Sequence, residues 1–275
     1  MSRQVIFTAD DFGLSEAVNE GVERAHRDGL LTSASLMMGG AAVEDAVART
    51  RRMPHLRVGL HLVTIEGPSV LPHRDIPALV SKEGQFPSDQ LWLGLRYFFL
   101  PEVRNQLREE IRAQFAAFAA TGLTLSHADA HKHMHLHPTI GAMMIDAGWQ
   151  YDLPAIRVPC EPSDVLRACG EKPGFGAWAM QKWCAVLRRQ AQAAGLRVND
   201  AVFGLSWSGA FTEDRLLRLA PHLPRGLTEL YFHPAAGTDD LLERLMPTYR
   251  HDAELAALTS KRAVAAFAGV ERALV

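Results

Sequence analysis

Short apolar runs alternate with longer amphipathic ones along the chain, and this alternation narrows the fold more than any other property of the sequence. The apolar runs are Gln4–Thr8, Ser33–Met38, Leu56–Leu62, Leu123–Asp129, Ala155–Val158, Ala201–Leu205 and Leu227–Phe232. Each is short enough for a strand and too continuous for a half-exposed one. Between them lie helical patterns. Ser15 is placed to cap a helix running to Arg27, with Val18, Val22 and Ala25 on one face and Gly29 beyond its end. Further helical patterns cover Ala41–Met53, Pro101–Thr121, Pro138–Ala147, Phe175–Ala194 and Thr212–Leu219, and helical pattern dominates after Phe232. Repeated strand–helix alternation without a break in composition predicts a parallel α/β domain, either a barrel or an open sheet. Residues 64–100 interrupt the rhythm. They hold four prolines, little periodicity and the apolar stretch LWLGLRYFFL, so they are expected to form an insertion or lid.

Composition excludes several function classes. The chain has 275 residues, 48% of them apolar and 22% charged, which suits a soluble domain with a large core. A formal net charge of −2 argues against a nucleic-acid partner, because phosphate binding calls for a basic excess. Cys160, Cys169 and Cys184 are too few and too irregular for a disulfide framework and read as reduced thiols. MSRQVIFTADDFG carries no apolar signal region, and no window is long and apolar enough to span a membrane, so a cytoplasmic protein is expected.

Polar residues recur where the apolar runs end. Asp10 and Asp11 follow the first run, His61 closes the third, Asp129 and His131 close the next, Arg157 ends IRV, and His233 follows LTELYF. Parallel α/β folds build their sites at the carboxyl ends of strands, so independent polar arrivals at that edge point to one site. An aspartate and two imidazoles can hold a divalent ion with positions left for water and substrate. Of two adjacent carboxylates, one can bind metal while the other serves as a base. Twelve histidines are present, and five of them, His127, His131, His133, His135 and His137, fall within eleven residues. On a strand such a run would alternate faces, so only one or two could serve the same ion. The plainer reading of the run is adventitious metal affinity with hydrogen-bonded surface rings, and that of Arg157 is a structural salt bridge.

TADDFGLSEAVNEGV, VGLHL, SHADAHKHMHLHP, RVPCE and ELYFHPA, in this order and spacing, resemble the YdjC-like carbohydrate deacetylases, which include enzymes acting on chitin-derived oligosaccharides. The resemblance covers nearly the whole chain. ASLMMGGAAVEDAV, LVTIEGPSVLP and FGLSWSGAF look most like the branch associated with hopanoid biosynthesis. It implies a distorted (β/α) barrel of about seven strands, in one domain over residues 1–275, holding one divalent ion, zinc or magnesium. It implies Asp11, His61 and His131 as ligands, Asp10 as general base, His233 as general acid and Arg157 as an orienting residue. His127 and Asp129 are implied as partners that fix ring tautomers, with His133 or His135 beside the substrate.

The implied reaction is hydrolysis of the acetamide of an N-acetylated amino sugar, free or on the head of a hopanoid glycolipid. The lipid case would bring peripheral contact with the inner face of the membrane, and a homodimer is left open. Two other classes compete with this reading. A barrel phosphoesterase would use two or three metals, and a non-catalytic metal or glycolipid binder would leave Asp10 and His233 without a purpose.

Overall fold

The chain winds around β1 (Arg3–Phe12), whose last eight residues are all buried, as befits a strand covered on both faces. A computed structural model describes residues 2–273 apart from 173 and 175. β1 leads into α1 (Glu16–Asp28), where Ser15 Oγ accepts from the Val18 amide at 3.4 Å, and Val18, Val22 and Ala25 turn inward. Then follow β2 (Ser33–Leu36), α2 (Val43–Thr50), β3 (Arg57–Leu62), α3 (Gln90–Phe99), α4 (Pro101–Ala120) and β4 (Ala128–Ala130). A 3₁₀ turn over His131–Leu136 leads to α5 (Pro138–Trp149) and β5 (Ala155–Ile156). The rest comprises α6 (Ser163–Ala168), α7 (Gly176–Ala193), β6 (Arg197–Val198), β7 (Ala201–Phe203), α8 (Glu213–Leu219), β8 (Gly226–Phe232), α9 (Asp240–Leu245), α10 (His251–Thr259), α11 (Lys261–Ala266) and β9 (Glu271–Arg272). The expected start of α7 at Phe175 lies outside the described residues.

Eight parallel strands pair in the order β6-β5-β4-β3-β2-β1-β8-β7, and β9 adds to β1 at Gln4 and Val5. The strands at the two ends of this path, β6 and β7, are separated in sequence only by Asn199 and Asp200, so the path curls back on itself. Few bonds cross the seam. The Asn199 side chain accepts from the Val158 amide at 2.7 Å and donates to its carbonyl at 2.8 Å, and the Val202 amide donates to the Cys160 carbonyl at 3.0 Å. The result is an incompletely closed, distorted barrel. Seven strands match the apolar runs. β6 and β9 are two residues long, as is β5, but unlike β5 they lie outside any apolar run. The run expected as a strand from Leu123 joins the ladder only at Ala128, and the helix expected over Ala41–Met53 is confined to Val43–Thr50.

Residues 64–100 are tied down by α4. Glu110, fully buried, accepts from the Val70 and Leu71 amides at 2.8 and 2.9 Å, and Gln114 bonds both backbone groups of Val63. Ile76, Leu79, Phe86, Leu93 and Tyr97 go into the core. Asp89 caps α3, whose inward residues are only Leu93 and Tyr97. Leu91, Trp92, Leu95, Phe98 and Phe99 face out, with Leu91 76% and Phe99 67% exposed. Among the described residues no helix is long and apolar enough to cross a membrane.

Candidate active site

The carboxyl end of β1 is irregular in a way the site requires. Between Ala9 and Phe12 the pairing with β2 slips by one residue, a bulge on the β1 side, and Asp11 adopts φ 62°. Adjacent residues of a regular strand face opposite ways. The extra residue and the left-handed turn let Asp10 and Asp11 both reach His61, and aspartate tolerates that conformation better than most residues. The following loop is pinned by buried Asn19, which accepts from the Gly13 amide at 2.8 Å and donates to the Ala42 carbonyl at 2.9 Å.

Asp11, His61 and His131 converge from β1, β3 and the turn after β4. Asp11 Oδ1 lies 3.3 Å from His61 Nε2 and 3.1 Å from His131 Nδ1. His61 Nδ1 donates to Asp129 Oδ1 at 2.7 Å, which leaves Nε2 toward Asp11. A second grouping, Asp10, His61 and Asp129, shares His61. A divalent ion fits the first set. One carboxylate and two imidazoles present ligand atoms within 4.8 Å of one another, and Asp11 Oδ2 is buried without a hydrogen-bond partner.

Charge points the same way. Asp10, Asp11, Asp129 and Glu229 are all buried here beside one buried arginine, Arg157. Burial alone would lower the His61 pKa, but Asp129 and Asp11 drive it up to about 10, the signature of a pocket that demands positive charge. Burial would raise Asp11, yet His131 and His61 hold it well below the usual carboxylate range.

Arg157, just past β5, is fully buried. Its guanidinium donates to both oxygens of Asp10 at 2.7 Å, to Asp129 Oδ2 at 2.7 Å and to Glu229 Oε1 at 3.0 Å through Nε. This fork aims Asp10 and braces Asp129 behind His61. Glu229 is the member that sequence reasoning missed. The one available signal was a lone carboxylate inside the apolar run LTELYF.

The other histidines separate from the site by backbone geometry. Strand conformation ends at Ala130, and Lys132 and His133 both take positive φ, 50° and 54°, which turns the run into a 3₁₀ loop. His131 therefore points at Asp11. His133 Nε2 meets the Tyr231 hydroxyl at 3.0 Å, His135 Nε2 donates to the Arg157 carbonyl at 2.9 Å, and His137 Nε2 to the Gly94 carbonyl at 3.1 Å. Burial lowers the pKa of both His133 and His135, the latter to about 4, which favours their neutral forms. His127 reaches the site at one remove. The Ser126 hydroxyl bonds its Nδ1 at 2.8 Å, its Nε2 meets Ser35 Oγ at 3.0 Å, and Ser35 donates to Asp129 Oδ2 at 2.8 Å. Lys132 pairs with Glu66 of the insertion.

His233 follows β8. Its backbone amide donates to Glu254, and its ring stands edge-on to Tyr231 and Tyr249, with centroids 5.7 and 4.9 Å away. Burial would depress its pKa, but Glu254 and Asp11 raise it above the ordinary histidine value. His251 Nδ1 donates to the His233 carbonyl at 2.7 Å and so fixes the segment. The arrangement offers a cation site, an oriented carboxylate and a histidine biased toward its proton-bearing form.

Comparison with known proteins extends this geometry. The family model described as YdjC-like protein matches residues 4–268. A carbohydrate deacetylase of Geobacillus stearothermophilus is 30% identical over 270 residues, covering 98% of this chain and 94% of that protein. One from Brevibacillus brevis is 39% identical over 156 residues, covering 57% of this chain and 59% of its own length. Among solved structures, a candidate cellobiose-phosphate cleavage protein of Enterococcus faecalis superposes with a TM-score of 0.78 at 22% identity, covering 99% of this chain and 97% of that one. A lactam utilization protein of Thermus thermophilus gives 0.55 at 16% identity, covering 99% and 100%. Both structures share the fold.

Proposed function

The chain belongs to the YdjC-like family, and on that premise we propose that it is a carbohydrate deacetylase, a metal-dependent hydrolase that frees acetate from an N-acetylated amino sugar. The observation that carries the reading is the convergence of Asp11, His61 and His131 on one point beside the Asp10–Arg157 pair. A divalent ion held by Asp11, His61 and His131 would polarise an acetamide carbonyl and make nearby water more acidic. Asp10, aimed by Arg157, takes a proton from the attacking water. His233 hands its proton to the departing amine. Asp129 fixes the tautomer of His61, and His133 with Tyr231 lines the sugar side of the cleft. Because Arg157 already engages oxygens of both Asp10 and Asp129, the second carboxylate grouping is less open to an ion of its own, which favours one ion over the two or three of a phosphoesterase.

The finer substrate reading is a glycolipid, with the hopanoid-branch motifs as its sequence support. Leu91, Trp92, Leu95, Phe98 and Phe99 form an outward apolar face on α3, within an insertion that serves as a lid. On this reading the protein works in the cytoplasm at the inner face of the membrane, with α3 dipping into the lipid. The test is acetate release from a panel of soluble N-acetyl sugars and N-acetylglucosaminyl lipids, each with zinc or magnesium. No acetate from any member would overturn deacetylation. Replacing Trp92 and Phe98 with Ser should impair the lipid substrate far more than the soluble one, and equal loss on both would remove the lipid while leaving the hydrolase.

A further inference from the structure

Outside the cleft, two thiols line one pocket. Cys160 lies beyond the end of β5, three residues after Arg157, and Cys184 is on the inward face of α7. Cys184 donates its S–H at 3.3 Å to the carbonyl of Pro159, the residue immediately before Cys160. The pair lines a solvent-open pocket of about 200 Å³ together with Glu161, Leu166, Met180 and Gln181. Cys160 is half-buried at the pocket wall, whereas Cys184 is buried behind it. Both are free thiols, as is Cys169, which lies apart from the pair with its thiol 3.8 Å from the Arg218 carbonyl.

We propose that Cys160 and Cys184 form a reversible oxidation site, in which Cys160 is attacked by a hydroperoxide and Cys184 resolves the product to an intramolecular disulfide. The exposure is asymmetric in the way this chemistry needs. The outer thiol meets the oxidant, and the inner one lines the same pocket, anchored on the carbonyl of the residue before it. The neighbouring Cys184 thiol draws the Cys160 pKa down against the effect of burial, which favours the Cys160 thiolate. The neighbouring Cys160, together with burial, pushes Cys184 up, which favours its protonated form.

The steps balance. The Cys160 thiolate takes the terminal oxygen of the hydroperoxide, the O–O bond breaks, and an alcohol or water leaves after protonation. Cys160 is now a sulfenic acid. The Cys184 sulfur then displaces hydroxide from Cys160, and that hydroxide carries away the Cys184 proton as water. Two thiols have lost two electrons to one peroxide, and a dithiol reductant reverses the change. The bridge would fasten the exit of β5 to α7 across the pocket mouth.

The full chain treated with one equivalent of hydrogen peroxide should lose two of its three thiols. Peptide mass spectrometry should place a Cys160–Cys184 bridge, Cys169 should stay alkylatable, and dithiothreitol should restore all three. In Cys184→Ser, Cys160 should stop at a sulfenic acid that dimedone traps. Cys160→Ser should resist the same dose. The wild-type peptide map decides the matter even if a variant folds poorly. Oxidation of Cys169 ahead of the pair, a disulfide between two chains, or Cys160 passing to sulfinic acid without a bridge would overturn the proposal.

Discussion

Replacing Arg157 with Met removes the buried guanidinium that three buried carboxylates share. The guanidinium makes two bonds of 2.7 Å to Asp10, one of 2.7 Å to Asp129 and a contact of 2.9 Å to Glu229 through the same Nη2. Among the described residues, Thr8 is the other side-chain donor to Glu229, at 2.8 Å. Breaking a buried pair from one side costs about 3–5 kcal/mol, because the surviving charge stays desolvated and unpaired. Here Asp10 and Glu229 lose their counter-charge while Asp129 keeps His61 at 2.7 Å, so the upper end, about 5 kcal/mol, is expected at pH 7. Against a total of about 5–15 kcal/mol for a typical domain, that is a third or more of the whole. Urea unfolding in EDTA should show a large fall in midpoint at constant slope.

The sign of the pH dependence follows from the same pairs. Burial alone would raise Asp129, but Arg157 and His61 hold it well below the usual range. A depressed carboxylate contributes stability above its unfolded value, and that contribution is lost as pH falls through the folded value. The gap between wild type and variant should therefore narrow in acid. Glu229→Gln added to Arg157→Met should recover part of the loss, with a coupling of about 0.5–3 kcal/mol. A cost below about 1 kcal/mol for Arg157→Met, or a double variant that merely sums the singles, would refute the assignment of Arg157 as the counter-charge of this cluster.

Calorimetric titration should find about one divalent ion per chain, and His61→Ala or Asp11→Asn should abolish that binding whether or not turnover is measured. Asp10→Asn should keep the ion yet lose about 10²–10⁴-fold in acetate release, and near-normal turnover would dismiss it as the base. Gly59→Ala should destabilise by about 1–3 kcal/mol in the same urea assay, because the added Cβ would sit 2.4 Å from His127 Nδ1 and 2.5 Å from its carbonyl oxygen.

Local chemistry alone made much of the fold and part of the site legible. Seven apolar runs became strands because parallel strands are buried on both faces and need no alternation. Ser15 and Pro101 mark helix starts, since orphan amides there require a partner or a missing hydrogen. The polar residues closing those runs, Asp10, His61, Asp129 and His233, could be gathered on one edge because strand direction is common to all members of a parallel sheet.

Tertiary structure decided the rest. Whether Asp10 and Asp11 face together depends on a bulge against β2, a property of pairing and not of the tetrapeptide around them. Which histidine turns inward depends on two positive φ angles in the turn after β4. Glu229 looked like an oddity in an apolar run until curling of the sheet brought β8 opposite β5 and Arg157. The two-residue strands β6 and β9 exist only where neighbours supply the ladder. Cys160 and Cys184 likewise line one pocket only once α7 packs over the barrel. Periodicity and caps act within a few residues, whereas charge compensation, register and the pairing of thiols at one pocket are set between segments far apart in the chain, and only the folded barrel brings them within reach.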